Sequence, residues 1–314
     1  LTTSNAEPVS TSAGSGRATA AGITCYTIWG LVPLLFQLIG RLGASPWEIL
    51  AHRTVWGAPA ALVFVLLARQ GRSALAAVRN PRTLAWLALS AVLIAANWSI
   101  FIWAVNAGRV LETSLGYYIL PLFNMAAGAL LFGERLDRAG KVAITLAAAG
   151  VLLQTLALGH LPLVSLALAI SFGGYGIVRK RVTAEAQTGL LVECVLLAIP
   201  GAAFILWLES RGAAHFAHDP TITAWLVACG PITAVPLVLF AWAARRLPLS
   251  AMGFLQFIAP TMTFALGIAQ GETFSPLRGL SFALIWAGVA VFALAAWRKS
   301  RPALEATAES APAA

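Results

Sequence analysis

The chain has 314 residues, of which 59% are hydrophobic and 11% charged, and its formal net charge is +9. A soluble domain carries about 25% charged residues, so this sequence has too few to coat a water-soluble globule of its size. The excess positive charge sits in short loops between apolar runs, which excludes a nucleic-acid surface and points to a membrane boundary.

Residues 1–18 are rich in Ser, Thr, Ala and Gly, lack an apolar core, and read as a disordered flank with neither signal peptide nor helix. Ten runs follow with the roughly 20 mostly apolar residues that a membrane-crossing helix needs. They cover 19–39, 45–69, 83–107, 109–132, 139–158, 161–178, 187–208, 221–243, 249–270 and 277–297. The breaks between them are short and rich in Arg, Gly and Pro, as hairpin loops are. The runs are too long, and alternate too little, for barrel strands. Residues 298–314 are polar and rich in Ala, Glu and Pro, a second disordered flank. Cys25, Cys194 and Cys229 each lie inside an apolar run without paired spacing, so they read as small buried hydrophobes. His215 and His218 have chelating spacing but no third ligand beyond Asp219, so neither a metal nor another cofactor is indicated.

Arginine and lysine orient the spans. With the N-terminus inside, one side carries Arg17, Arg69, Arg72, Arg79, Arg82, Arg135, Arg138, Lys141, Arg179, Lys180, Arg181, Arg245, Arg246, Arg298, Lys299 and Arg301. The other side carries only Arg41, Arg109, Arg211 and Arg278. Both termini are therefore expected in the cytoplasm.

The two halves repeat weakly but in order. Trp29-Gly30 matches Phe172-Gly173, Pro59 matches Pro200, Trp103 matches Trp242, Pro121 matches Pro260, and Gly133-Glu134 matches Gly271-Glu272, all at offsets between 138 and 143. Five spans per copy force the second copy to cross in the opposite sense, and inverted repeats place a substrate site near mid-membrane between them. The expected fold is an all-α integral membrane protein of ten transmembrane helices, with one five-helix repeat over 19–158 and an inverted one over 161–297.

Ionisable groups inside spans are costly and draw attention first. Glu48 and His52 share a helix face, with Arg53 adjacent. Glu48 is close enough to the span end to snorkel. His52 and Arg53 lie deeper and read either as binding a substrate carboxylate or relaying a proton, or as packing the helix end. Glu193 sits seven residues before Pro200 as His52 sits seven before Pro59, so the repeat suggests a proton-coupling pair, with a structural hydrogen bond between helices as the plainer reading. Glu112 begins the fourth span, where a carboxylate complements the helix dipole.

Tyr117, Pro121 and Asn124 form one stripe, and Gln256, Pro260 and Thr263 repeat it. Each proline frees a backbone carbonyl, so both stripes are expected to line a cavity. Among the aromatics, Trp29, Asn97 with Trp98, Tyr118 and Tyr175 are expected at the same lining, whereas Trp103 and Trp242, near span ends, suit an interfacial belt. There is no ATP-binding loop and no clustered nucleophile and base, so a pump driven by ATP within this chain and a membrane-embedded enzyme are both disfavoured. The expected partners are a small-molecule substrate and the lipid bilayer, and the sequence leaves the oligomeric state open.

Several segments also carry a family resemblance. They are Glu48-Ile-Leu-Ala-His52-Arg53, Asn97-Trp98, Phe101-Ile-Trp-Ala-Val-Asn106, Glu112-Thr-Ser-Leu-Gly-Tyr117, Phe132-Gly-Glu-Arg-Leu136, Val178-Arg-Lys180 and Glu185-Ala-Gln-Thr-Gly189. In the second half Pro236-Leu, Arg246-Leu, Gly253-Phe and Gln256-Phe up to Pro260-Thr261 join them. Over roughly residues 20–297 the chain resembles the RarD branch of the drug/metabolite transporter superfamily, whose repeat unit is the EamA domain. The resemblance implies a permease of the bacterial inner membrane with both termini cytoplasmic. RarD proteins are labelled chloramphenicol-sensitivity permeases, and related ten-helix exporters of the YddG type move aromatic and other neutral amino acids. Export of amino acids or similar metabolites is the function that the resemblance implies.

Overall fold

A computed structural model describes residues 12–132, 137–179, 181–244, 246–247, 252 and 255–309, excluding the side chains of 12–15, 128, 131–132, 241 and 296–309. The Gly133-Glu134 turn and the flanking residues 1–11 and 310–314 lie outside the described residues. Eleven helices are described: α1 (Ser12–Arg41), α2 (Pro46–Leu67), α3 (Gly71–Arg79), α4 (Pro81–Asn106), α5 (Val110–Phe132), α6 (Arg138–Leu158), α7 (Leu163–Arg179), α8 (Ala186–Ser210), α9 (Pro220–Ala244), α10 (Ile258–Ala269) and α11 (Pro276–Glu309). Seven of them hold a segment long and apolar enough to cross a membrane, and α7 and α10 are shorter apolar helices.

Local chemistry sets the helix ends. Ser45 accepts from the Glu48 N–H at 3.1 Å with Pro46 in the first turn, and Asn80 caps α4 ahead of Pro81 in the same way; a capping oxygen followed by proline suits a helix start. Asp137 accepts from the Gly140 N–H at 2.7 Å to begin α6, and Gly159, at φ +72°, ends it. A left-handed residue after the last turn is where glycine is needed.

Three expectations are corrected. The N-terminal flank is helical from Ser12, and Ala18 is fully buried in a cluster with Ala243, Leu247 and Met252; its small side chain lets α1 approach the end of α9. The C-terminal flank is helical to Glu309, since its Ala, Leu, Glu, Lys and Arg are good helix formers that prolong the preceding rod. The loop between the second and third runs holds α3, a short basic helix whose Ala77 packs with Leu87 of α4 and Val192 of α8.

Close packing relies on small residues. Gly57 of α2 faces Cys194 of α8, and a Cβ at Gly201 would stand 2.7 Å from Thr54. Gly150 of α6 faces the Ser281 carbonyl of α11, and Gly288 faces the Ala143 carbonyl. Without a hydrophobic drive between helices in lipid, such contacts gain from close van der Waals approach. Large apolar side chains point outward instead: Leu130 is 84% and Ile199 68% exposed, the surface a bilayer would cover. Helices α6 and α11 pack on one another at the periphery, and the other long helices surround a central cavity.

Candidate functional site

The central cavity has a volume of about 480 Å³, within the range of small-molecule sites. Its floor is aromatic: Tyr26 and Trp29 from α1, Trp98 and Phe101 from α4, Tyr117 from α5, Phe172 and Tyr175 from α7, and Phe240 from α9. Polar groups are few: Asn97, Gln187, Thr233, Gln256 and Thr263, with Arg53, Arg179 and Glu193 as the charged lining residues. The lining reaches Arg179 and Gln187 at the facing ends of α7 and α8, so it lies toward the arginine-rich side of the bundle.

Nine of the twelve residues singled out from sequence line this space: Trp29, Arg53, Asn97, Trp98, Tyr117, Tyr175, Glu193, Gln256 and Thr263. Arg53 is buried, with its guanidinium 4.0 Å from the centroid of Trp98 and 5.5 Å from that of Phe36. Its Nε has no hydrogen-bond partner, and no carboxylate among the described residues forms an ion pair with it. Asn97 donates to the Leu168 carbonyl and Ser171 Oγ, each at 3.1 Å, while its Oδ1 accepts from the Tyr117 hydroxyl at 3.1 Å. That network ties α4, α5 and α7 together beside the arginine.

Glu193 is the buried acid of the lining. It accepts from Ser90 Oγ at 2.5 Å and from the Tyr175 hydroxyl at 3.3 Å, and Arg179 Nη1 lies 3.7 Å away. Arg179 was legible only as one of the arginines that orient the chain. Its i, i+4 spacing to Tyr175, on the inner end of the same helix, was the signal available for a lining role. Phe101 and Phe240 carried no such signal, because a lining phenylalanine and a core phenylalanine look alike in an apolar run, and Phe172 was marked only by its repeat match to Trp29.

His52, Tyr118 and Asn124 do not line the cavity. One residue along a helix turns the side chain by about 100°, so His52 points away from the face of Arg53. Its Nδ1 accepts from Trp56 Nε1 at 3.2 Å, its ring lies 4.8 Å from Phe216 in the α8–α9 loop, and its Nε2 is buried without a partner. The same rotation sends Tyr118 away from Tyr117, to Thr261 Oγ1 at 2.6 Å and the rings of Phe257 and Trp286. Asn124 shares the face of Tyr117 but lies roughly 10 Å further along, next to Gly173. No hydrogen bond or ion pair joins His52 to Glu193 among the described residues; Glu193 instead accepts from Ser90 of α4 and Tyr175 of α7, hydrogen bonds between helices as in the plainer of the two readings.

The two proline stripes part company: Pro121 lies inside α5 and only Tyr117 of its stripe lines the cavity, whereas Gln256, Pro260 and Thr263 all line it, though not from mid-helix. Gln256 and Phe257 form a turn, and α10 begins at Ile258, which puts Pro260 in a first turn rather than mid-helix. Its carbonyl accepts from Ser114 Oγ at 2.7 Å. Proline suits that position because a first-turn N–H has no intrahelical partner.

Glu48 and Glu112 have structural partners. Glu48 accepts from the His215 N–H at 2.7 Å and lies 2.8 Å from its Nδ1; Arg109 holds Glu112 through Nε at 2.6 Å and Nη2 at 2.9 Å. Trp103 and Trp242 are partly exposed, each beneath an arginine, Arg109 at 5.4 Å and Arg246 at 4.4 Å.

An apolar helical bundle enclosing an aromatic cavity with a few buried charges is the construction of a membrane permease. The chain belongs to the EamA-like transporter family, which matches residues 17–156. Within that family it is a RarD-like member of the drug/metabolite transporter type, a multi-pass protein of the bacterial inner membrane. It is 40% identical to the RarD protein of Escherichia coli, over 87% of this chain and 92% of that one. It is also 40% identical to an uncharacterized transporter of Vibrio cholerae, over 87% and 90%, and 32% identical to the chloramphenicol-sensitive protein RarD of Pseudomonas aeruginosa, over 90% and 93%. A solved crystal structure, 22% identical, shares the fold with a TM-score of 0.56 over 90% of this chain and 98% of that one.

Proposed function

We propose that the protein exports small organic metabolites, amino acids including aromatic and neutral ones foremost, by alternating access between two inverted five-helix repeats over 19–158 and 161–297. Leaving aside the short α3, the helices count as ten crossings, with both termini in the cytoplasm. The packing of α2 on α8, α5 on α10 and α6 on α11 supports this reading, because each pair stands five crossings apart and a twofold axis in the membrane plane would bring such pairs together. Trp103 and Trp242 fit it too, capping equivalent helices at opposite ends.

The observation that carries the reading is Arg53. A buried cation facing an aromatic cavity without an acidic partner is costly in a membrane unless a solute completes it, and a carboxylate matches its forked donors. In this conformation the cavity lies toward the cytoplasmic ends, and a separate pocket of about 800 Å³ at the opposite ends is lined by Gln37, Arg109, Gln270 and Arg278. Export then needs the two repeats to rock until the cavity reaches the other face. We infer that the process is facilitated or only weakly coupled to protons, because His52 and Glu193 are not paired. Efflux of chloramphenicol-type drugs is a second reading, motivated by the printed name of the Pseudomonas relative.

Counterflow in liposomes, screening labelled amino acids, other aromatic metabolites and chloramphenicol, tests the proposal. Exchange of aromatic amino acids at rates well above empty liposomes is expected. Exchange of none of the three groups would overturn it.

A further inference from the structure

The charge balance of the cavity bears on which part of a solute is recognised, and this inference rests on the permease reading above. Glu193 is the acidic residue among the lining residues. It is occupied by Ser90, Tyr175 and the nearby Arg179. If ionised, its charge is already balanced by Arg179; if protonated, it has none. In either state it offers no free negative charge to a ligand ammonium.

Arg53 is the counterpart. Among the described residues its guanidinium has no acidic partner, its Nε is an orphaned buried donor, and it rests on the face of Trp98. A ligand cation seeking that ring would meet a cation already there, and like charges at such range repel strongly out of water. A carboxylate arriving at the same place satisfies the orphaned donor and neutralises the cation.

We propose that the cavity recognises monocarboxylates, reading the carboxylate at Arg53 and a flat apolar body against the aromatic walls, and that an α-amino group adds nothing to recognition. The substrate class therefore extends from aromatic amino acids to their deaminated acids, such as arylpyruvates and arylacetates. Amines of the same shape that lack the carboxylate are excluded.

The test is thermal stabilisation of the purified wild-type protein in detergent by phenylalanine, phenylpyruvate, phenylacetate and phenethylamine, with liposome counterflow measured in parallel. The three carboxylates are expected to bind within about threefold of one another and phenethylamine at least about tenfold more weakly, the scale of a lost charged hydrogen bond. Arg53→Gln is expected to remove that preference and Arg53→Lys to keep part of it. Phenethylamine binding as well as phenylacetate, deaminated acids binding about tenfold worse than phenylalanine, or no ligand binding at all would each overturn the proposal. Intact carboxylate preference without counterflow would leave carboxylate recognition standing and remove the permease reading instead. Counterflow without carboxylate preference would do the reverse.

Discussion

Gln37 of α1 and Gln270 at the end of α10 exchange two amide hydrogen bonds, Gln37 Nε2 to Gln270 Oε1 at 2.9 Å and Gln270 Nε2 to Gln37 Oε1 at 2.6 Å. The pair joins the two halves at the end of the bundle away from the cavity, beside Glu272, whose carboxylate accepts from the Val110 and Leu111 N–H groups. One reciprocal bond has a thermodynamic signature. Gln37→Ala and Gln270→Ala are each expected to lower stability by about 0.5–1.5 kcal/mol. The double variant should lose little more than Gln37→Ala alone, which also gives up the Gln37 Nε2 bond to the Val105 carbonyl at 3.3 Å, because both substitutions remove the amide pair. A double-mutant cycle on thermal unfolding measures this, and simple additivity would show that the amides act independently.

Arg53 is expected to serve function at the expense of stability. Arg53→Met keeps the length of the side chain and removes a buried charge that has no acidic partner. It is expected to lower counterflow at least roughly tenfold, the loss of a charge-assisted carboxylate contact. The melting temperature should not fall, because replacing an uncompensated buried ion by a hydrophobe is commonly neutral or stabilising. Parallel counterflow and unfolding measurements decide it. A large loss of stability with the transport rate preserved would make Arg53 a packing residue.

Glu193→Gln and His52→Ala test the energy coupling. With no direct pairing between them, both variants are expected to retain counterflow, and a pH gradient is expected to drive little accumulation in the wild type. Strong pH-driven uptake that disappears in either variant while counterflow survives would establish proton coupling.

Glu272, in the loop after α10, gives a pH dependence with a definite sign. Burial holds its carboxyl above the ordinary carboxylate value, against the N–H groups of Leu111 and Val110 and the charge of Arg278, while Glu112 adds to the rise. The folded protein therefore binds this proton more tightly than the unfolded chain does. The associated stability is full below the unfolded value of about 4.3 and is lost as pH rises through the folded one. Above about pH 4.3, melting temperatures should fall less steeply with rising pH in Glu272→Gln than in the wild type. Equal slopes would remove Glu272 from the account.

Much of this was legible in the sequence because burial in lipid makes polar residues rare. Arg53, Asn97, Trp98, Tyr175 and Glu193 stood out against an apolar background, and each lines the cavity. Rotation about the helix axis was less legible. His52 and Tyr118 lie one residue from lining positions and face elsewhere, a difference that an all-apolar run does not encode. The break at Gln256 and Phe257 was hidden for a related reason, since Pro260 fits a mid-helix kink or a first turn equally well. Arg179 was missed because its charge first served to orient the chain.

Labelling of a single thiol introduced by Thr263→Cys tests the central claim most directly. The native Cys25, Cys194 and Cys229 are all buried, and Thr263 faces the cavity, so a membrane-impermeant maleimide reports which side has access. The account predicts labelling mainly from the cytoplasmic side in the wild-type background, protection by a bound aromatic carboxylate, and a shift toward labelling from the outer side when Gln37→Ala and Gln270→Ala loosen the outer closure. Labelling that stays the same from both sides with and without those substitutions, and is indifferent to ligand, would contradict alternating access through this cavity.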